Sequence, residues 1–299
     1  MDAPVLVAHE AAPSVVFVRA RIPASHPSAT VLGEERVGAG LAVGSDRVLT
    51  AHYLVLGASR VEVSGSDGRQ RAVERTTVDH ETGLALLATA GAPLTPARLR
   101  AAPARPGLPV FLLTCVDAQE RHGASGHISA IAPFEAFWEY MLDAAIMTTL
   151  VNPGLAGAPL FDAQGAVLGI VSLGLSSVGR NSLAIPIELY VRHQAALESG
   201  DPQRTRQPRA WIGFYPQVHE DAVVVTGVVP GGPADRAGLS RGDVLLTVDA
   251  EPVADLRELY TALWRKQPGQ ALDLQVLREG AILVIEVKGG DRYDFYKSR

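Results

Sequence analysis

Short apolar runs separated by turn residues dominate the first two thirds of the chain. The runs are rich in Val, Leu and Ile, are bounded by Gly, Pro, Asp and Ser, and show no long helical period, a pattern typical of β-strands. Many short strands of this kind favour a sandwich or barrels. One helix is predicted from Ile187 to residue 198, because it follows Pro186 and ends near Gly200. The predicted strands cover residues 14–20, 40–43, 47–50, 60–63, 84–89, 110–115 and 167–173.

A polar segment with two prolines, residues 199–208, interrupts this pattern and predicts a linker. A second β-rich unit follows it, with strands predicted over residues 223–229, 244–248, 272–277 and 282–287. A helix near residues 255–265 is amphipathic, because Leu256, Leu259, Tyr260 and Leu263 share one face. We therefore expect a mostly β protein with a domain at 1–200, a linker at 201–209, a second domain at 210–289 and a charged, aromatic tail at 290–299.

Composition and charge limit the expected partners. Of the 299 residues, 47% are hydrophobic and 20% charged, which is typical of a globular protein with a substantial core. The net charge of −5 makes nucleic acid an unexpected partner. The apolar stretches are strand-sized, so we expect no membrane span. The start lacks a basic and then apolar leader, which predicts a cytoplasmic protein as written, or a periplasmic or cell-envelope protein if a leader has been removed.

Few residues in the chain point to metal or thiol chemistry. Cys115 is the single cysteine and lies in an apolar run, which predicts a buried strand cysteine. The histidines lack metal-site spacing, so we predict no cofactor and no metal; if the protein binds a metal, His52, His122 and His127 are the candidates. The aromatic cluster at residues 134–140 is either a partner-binding patch or a strand or loop packed on a barrel.

Four segments, in order along the chain, resemble the HtrA family of trypsin-like serine proteases. They are Gly38-Ala39-Gly40 with Val48-Leu49-Thr50, then residues 79–87, then Asn152-Pro153-Gly154-Leu155-Ala156-Gly157-Ala158-Pro159-Leu160, and finally residues 165–171 with Leu183-Ala184-Ile185-Pro186. The resemblance implies a trypsin-like double β-barrel for the first domain.

Aligned on these motifs, the positions of the family's histidine, aspartate and serine hold Tyr53, Gly83 and Ala156. Acyl transfer needs a hydroxyl, an imidazole and an orienting carboxylate, so we predict an inactive homologue that is not an enzyme. His52 lies one residue before the histidine position, and a slip of one residue turns a side chain to the opposite face. By resemblance, the amides of Gly154 and Ala156 form a vestigial oxyanion hole; the alternative is a collapsed loop.

Residues 211–214, 227–234 and 237–245 closely resemble a PDZ domain of the protease-associated kind. The turn at residues 230–232 follows a strand, and Pro233 begins a short helix that Gly238 stops. PDZ domains bind an extended peptide as an added strand and hold its terminal carboxylate on backbone amides. By resemblance those amides belong to Ile212, Gly213 and Phe214, and the side chains predicted to line the groove are Leu259 and Leu263.

The function predicted from the sequence is that of an HtrA-like pseudoprotease. It binds protein partners or C-terminal peptides through its PDZ domain, as a scaffold, adaptor or chaperone-like subunit. Two alternatives stay open: a metal-binding structural protein of an assembly, and an active serine endopeptidase with an unconventional nucleophile, such as Ser172 or Ser176. The family resemblance also implies a homo-oligomer, specifically a trimer.

Overall fold

A computed structural model describes residues 3–100, 102–151, 156–177, 179–204 and 208–297. The chain divides into two compact units, the first made of residues 1–133 and 142–204 and the second of residues 134–141 and 205–297. Residues 134–141 thus belong with the second unit, whereas the predicted first domain runs continuously from 1 to 200. Residues 205–207, in the predicted linker, lie outside the described residues.

The first unit contains two closed six-stranded barrels, and the expected mostly β class is confirmed. The first barrel has the order β1-β2-β3-β6-β5-β4 and is built from β1 (Val15–Arg21), β2 (Glu35–Gly44), β3 (Arg47–Ala51), β4 (Arg60–Ser64), β5 (Gln70–Asp79) and β6 (Leu84–Thr89). The second has the order β10-β11-β12-β9-β8-β7 and is built from β7 (Pro109–Cys115), β8 (Arg121–Ala136), β9 (Tyr140–Thr148), β10 (Pro159–Asp162), β11 (Val167–Ser177) and β12 (Arg180–Pro186).

Apolar side chains fill the first barrel from neighbouring strands. In the antiparallel pair of β3 and β6, Val48 lies opposite Leu87, and both side chains are fully buried. Val16 and Val18 of β1 join the same core. Burying side chains of this size contributes about 1.5–3 kcal/mol each, so the apolar runs that predicted the strands also stabilise the barrel. Cys115 is buried at the end of β7, as predicted.

The first unit contains four α-helices among its described residues. They are α1 (Ala3–Ala11), followed by a 3₁₀ turn (Ala12–Ser14), α2 (Pro27–Leu32), α3 (His52–Val55) and α4 (Ile187–Ser199). Of these, α2 and α3 lie between strands, α1 precedes β1 and α4 follows β12. The predicted helix after Pro186 is α4, and it ends at Gly200, whose φ of +84° is a left-handed C-cap that glycine adopts readily. The sequence pattern did not predict α1 or α2.

The second unit is a six-stranded sheet with helices. Its main strand order is β13-β14-β15-β17-β18, and β16 pairs with β15. Leu245, Leu272 and Val287 belong to its buried core. The strand β13 lies at one edge, which leaves its outer side free of another strand of the sheet. The elements are β13 (Phe214–His219), β14 (Ala222–Val228), α5 (Pro233–Arg236), β15 (Val244–Val248), β16 (Glu251–Pro252), α6 (Leu256–Leu263), β17 (Ala271–Arg278) and β18 (Ala281–Lys288).

The segment predicted as a charged, aromatic tail contains a short helix. This helix is α7 (Arg292–Phe295), which Asp291 caps by accepting a 2.8 Å hydrogen bond from the amide of Tyr293. The ring of Phe295 lies 4.7 Å from that of Trp211. An N-cap and an aromatic contact together stabilise a helix that is too short to form alone.

Candidate functional site

Tyr53 occupies the predicted histidine position and lies on α3, directly after β3. Its hydroxyl donates a hydrogen bond to the backbone carbonyl of Ser172 on β11. Burial raises the pKa of the phenol, so Tyr53 stays protonated at neutral pH. The side chain is therefore a hydrogen-bond donor that joins the two barrels.

The histidine next to it, His52, is buried against the predicted aspartate position. Its amide nitrogen donates to the carbonyl of Gly83 at 2.8 Å, and its Nδ1 lies 3.1 Å from the same carbonyl oxygen. A proton on Nδ1 makes this second contact a hydrogen bond and leaves Nε2 as an acceptor. Gly83 has a φ of +77°, in the left-handed region that favours glycine. The backbone carbonyl of Gly83 thus holds His52.

Ala156, at the predicted serine position, is buried and belongs to the hydrophobic core cluster of the first barrel. Its carbonyl accepts a 2.8 Å hydrogen bond from the amide of Ala39, beside an isolated parallel bridge to Gly38. The amide of Gly157 donates to Val171 at 2.9 Å. Gly154 and the rest of residues 152–155 lie outside the described residues. The assignment of Gly154 and Ala156 to an oxyanion hole therefore stays a prediction.

The three histidines considered for metal binding have different surroundings. His52 is buried, whereas His122 and His127 are exposed on β8. The Nε2 of His122 lies 2.5 Å from a carboxylate oxygen of Glu120. In the part of the chain that the structure describes, no group of three or more His, Cys, Asp or Glu residues is placed to hold a metal ion.

Ile212, Gly213 and Phe214, predicted to receive a peptide carboxylate, surround the carboxylate of Glu139. The amide nitrogens of these three residues lie 3.2, 2.7 and 3.4 Å from the Glu139 oxygens, in that order. Gly213 adopts a φ of +77°, which turns the successive N–H groups toward one point. We call residues 212–214 the carboxylate loop. Its geometry suits an anion with two oxygens.

Glu139 is only 3% exposed. Burial raises the pKa of its carboxyl to about 7, and the opposing influence of the Arg292 guanidinium and of the three amide hydrogen bonds is smaller. The backbone of Glu139 has a φ of +54°, a left-handed conformation that few residues other than glycine adopt. A buried acid in a strained turn requires firm support from its neighbours.

That support comes from Tyr260 on α6 and from Arg292 on α7. Residues 134–141, which we call the hairpin segment, join β8 to β9. The Tyr260 hydroxyl accepts a 3.2 Å hydrogen bond from the amide of Glu139 and donates a 2.5 Å bond to the carbonyl of Ala136. An Nη1 of Arg292 donates to the Glu139 carbonyl at 3.0 Å. These bonds satisfy the polar backbone of the turn on two sides.

Two further contacts hold the flanks of the hairpin segment. The Nε of Arg257 lies 2.6 Å from a carboxylate oxygen of Glu135. The ring of Phe137 lies 6.3 Å from that of Tyr215 on β13, at an angle of 66°. The aromatic cluster therefore makes contacts within the second unit. This differs from packing on a barrel, one of the two alternatives for this segment; the other, a partner-binding patch, stays a prediction.

Helix α6 supplies both core residues and polar contacts. Leu259 and Leu263 are fully buried among the core residues of the second unit. Their predicted role in lining a peptide groove stays a prediction. Sequence reasoning assigned Tyr260 only to the apolar face of the helix. Its hydroxyl instead contacts the hairpin segment. In the sequence, only the presence of a hydroxyl group on an otherwise apolar helix face indicated that Tyr260 has a polar partner.

Glu139 and Arg292 also escaped the sequence analysis. Glu139 lies 73 residues before Ile212 in the chain, and no local pattern connects the two. The one signal available was the density of aromatic residues at 134–140, which marked this segment as unusual. Arg292 was assigned to the tail, where a charged side chain is expected to be exposed.

Two barrels followed by a β-rich unit with an amide loop define a trypsin-like peptidase fold joined to a PDZ domain. Comparison with protein families supports both halves: residues 38–170 match the trypsin-like peptidase domain, and residues 210–288 match the PDZ domain. Among curated proteins, the chain is 30% identical over 286 residues to the putative serine protease HhoA of Synechocystis, an alignment that covers 84% of this chain and 70% of HhoA. The chain belongs to the HtrA/DegP-type family.

Other relatives give the same assignment. A probable periplasmic serine endoprotease, DegP-like, from Halomonas elongata is 31% identical over 296 residues, which cover 91% of this chain and 60% of the relative. The chain therefore spans about 60% of the length of this relative. Among solved structures, the HtrA-type protease AlgW with a tripeptide has a TM-score of 0.58 at 26% identity, with 97% of both chains covered. AlgW with a decapeptide has a TM-score of 0.57 at 25% identity, with 97% of this chain and 98% of that chain covered.

The relatives correct one prediction. From Tyr53, Gly83 and Ala156 the sequence predicted that the chain is not an enzyme. This is contradicted, because the relatives that align with most of the chain are named serine endoproteases. Missing side chains at three aligned positions were too narrow a basis for that prediction.

Over the described ranges, no helix is long and apolar enough to cross a membrane.

Proposed function

We propose that this chain binds the C-termini of protein chains through its PDZ domain and serves as a scaffold, adaptor or chaperone-like subunit. The observation that carries the proposal is the convergence of the Ile212, Gly213 and Phe214 amides on one carboxylate, at 2.7–3.4 Å. A peptide's terminal carboxylate has the same two-oxygen geometry. The AlgW structures, described as containing a tripeptide and a decapeptide, support peptide binding in this family.

Calorimetry with the full chain tests this proposal. Free-acid decapeptides ending in Val, Leu or Phe are expected to bind with micromolar dissociation constants, about −8 kcal/mol, since the interface is small and the peptide loses freedom. Amidating the C-terminus removes the charge and is expected to weaken binding about tenfold or more. Equal affinity for free-acid and amidated peptides would reject the proposal. The proposal would also be rejected if neither the wild type nor any variant with a substitution in residues 134–141 bound a peptide.

The names of the relatives favour proteolysis as a second candidate function. Because position 156 is alanine, the nucleophile has to come from another residue. Ser172 is 6% exposed and its carbonyl contacts Tyr53; the side chain of Ser176 lies outside the described residues. If Ser172 is the nucleophile, casein cleavage and labelling by a fluorophosphonate probe are lost in Ser172→Ala and kept in Ser129→Ala. A wild-type chain that neither cleaves nor labels would reject this candidate.

Location and assembly belong to the same proposal. Two relatives are named as probable periplasmic serine endoproteases, which supports a periplasmic location. Cell fractionation of the tagged protein tests this location. The family resemblance supports a trimer. Light scattering is then expected to give three times the chain mass of 31.6 kDa, and a monomeric mass at micromolar concentration would contradict it.

A further inference from the structure

We infer that Glu139 is an internal ligand of the carboxylate loop, and that a peptide C-terminus binds there only after the hairpin segment has left. The inference rests on the proposed function, because it takes the loop to be the element that receives the terminus. It assigns to residues 134–141 the role of a competitor built into the chain.

The first step of the argument is that the loop holds one carboxylate at a time. Each backbone amide has one proton to donate, and those of Ile212, Gly213 and Phe214 all point to the oxygens of Glu139. The 2.7 Å contact with Gly213 is as short as a charge-assisted hydrogen bond. A second carboxylate at the same place would find no free amide donor. A peptide terminus therefore has to displace Glu139.

The second step is that the hairpin segment is fixed by a small set of separable contacts. Tyr260 bonds both the amide of Glu139 and the carbonyl of Ala136, Arg292 bonds the Glu139 carbonyl, and Arg257 pairs with Glu135. The ring of Phe137 also lies against that of Tyr215, and Met141 packs against the core of the second unit. Release of Glu139 therefore requires a local opening of the turn that breaks its polar contacts, while the core of the second unit stays packed.

The third step is that the closed state carries its own costs. The left-handed φ of +54° at Glu139 is a strained conformation for a residue other than glycine. Its carboxyl is buried at 3% exposure, which is unfavourable for the charged form. The hydrogen bonds of the loop and of Tyr260 offset these terms. Because these terms oppose one another, a ligand that binds only the open form shifts the equilibrium toward it by its differential affinity.

Competition of this kind predicts a specific change in affinity. The apparent dissociation constant equals the intrinsic one divided by the open fraction. If the closed form is about ten times more populated than the open form, removing the carboxylate tightens peptide binding about tenfold. Binding of an amidated peptide gains less, because it makes little use of the vacated amides.

The test uses the full chain in three variants. Glu139→Ala removes the internal carboxylate, and Glu139→Gln keeps its size while removing its charge. Glu279→Gln is the matched control, since Glu279 is an exposed glutamate of the same unit that also has a positive φ, of +50°. Each variant is titrated by calorimetry with the free-acid decapeptides ending in Val, Leu or Phe. Hydrogen exchange of the amides of residues 212–214 is measured without peptide.

We expect Glu139→Ala to bind the peptides at least about tenfold more tightly than wild type, with Glu139→Gln intermediate and Glu279→Gln unchanged. We also expect the 212–214 amides to exchange faster in Glu139→Ala, while the rest of the second unit keeps its protection. Unchanged affinity of all three variants, with peptide bound, overturns the inference and leaves the proposed function standing. If no variant binds peptide but the loop amides lose protection, the internal ligand stands and the proposed function fails. Unchanged protection in both Glu139 variants overturns the inference in every case.

Discussion

The Oε1 atom of Glu139 lies 2.7 Å from the amide nitrogen of Gly213, although 74 residues separate the two along the chain. Burial raises the pKa of this carboxyl to about 7 from its ordinary value of 4.5. A group whose pKa is higher when buried takes up a proton on burial. Closure of the hairpin segment is therefore linked to pH.

We expect peptide binding to tighten as the pH rises from 5.5 to 8. The closed state keeps its proton up to about pH 7, whereas a released Glu139 ionises near 4.5. Closure is thus fully favoured below pH 4.5 and weakens as the pH rises through 7. The apparent dissociation constant of a free-acid peptide, measured by calorimetry, should fall about tenfold across this range.

The tyrosines around Glu139 do not titrate in this window. Burial raises the pKa of Tyr215, Tyr260 and Tyr296 above the ordinary value, to about 12 for Tyr296. Glu139→Gln is therefore expected to show a flat profile, while the wild type slopes. A wild-type profile as flat as that of the Gln variant would show that Glu139 does not titrate on closure.

Strands β3 and β6 of the first barrel were predictable because most of their side chains are buried, whereas β5 is largely exposed or half-buried and was not predicted. Residues 47–50 and 84–89 read as nearly continuous apolar runs, and they are β3 and β6. In contrast, β8 is largely half-exposed along its length and carries polar and small residues. No apolar alternation marks such a strand, and for this reason no strand was predicted there.

Only one part of the candidate peptide site, the carboxylate loop, was predictable from the sequence. The carboxylate loop follows a local motif, in which Gly213 supplies a positive φ between two apolar residues. Its present ligand, Glu139, comes from a distant turn whose sequence carries no sign of a partner. Local patterns report the conformation of a segment, whereas pairing between distant segments depends on the tertiary fold.

The carboxylate loop should be intolerant of a side chain at position 213. An added Cβ on Gly213 would lie 2.8 Å from ring atoms of Trp211, and the residue has a φ of +77°. We expect Gly213→Ala to lower the free energy of unfolding by about 2–3 kcal/mol in urea titrations. Gly280→Ala is the control, because Gly280 has a φ of +82° with open space around it; about 1 kcal/mol is expected there. Equal losses of unfolding free energy in the two variants would mean that the contact with Trp211 does not contribute to the destabilisation.

Arg36 is a buried cation that holds the backbone around α3. Its Nη1 donates to the carbonyls of Tyr53 and Leu56 at 2.6 and 3.1 Å, and its Nη2 donates to the carbonyl of Ser28 at 3.1 Å. Burial lowers the pKa of the guanidinium to about 10. Replacing Arg36 by Met leaves buried carbonyls without donors, so we expect a loss of about 2–4 kcal/mol in stability. Arg60→Met, at a side chain that is 67% exposed, should cost less than about 1 kcal/mol. Thermal unfolding of the two variants side by side measures the difference, and similar melting temperatures would contradict it.

Gly157, next to the predicted nucleophile position, should be required for the fold itself. Its φ is +82°, and an added Cβ would lie 2.1 Å from the carbonyl oxygen of Ala39 and 2.2 Å from the hydroxyl of Thr50. That hydroxyl already donates a 2.7 Å hydrogen bond to the same carbonyl, so neither atom can move without breaking a buried bond. We expect Gly157→Ala to destabilise the first unit by more than about 4 kcal/mol, or to prevent its folding. Gly107→Ala is the matched control, because Gly107 has a φ of +81° and nothing within 4 Å of the added Cβ. Circular dichroism during urea titration compares the two variants. If Gly157→Ala unfolds at the same urea concentration as Gly107→Ala, the glycine is retained for a reason other than this packing.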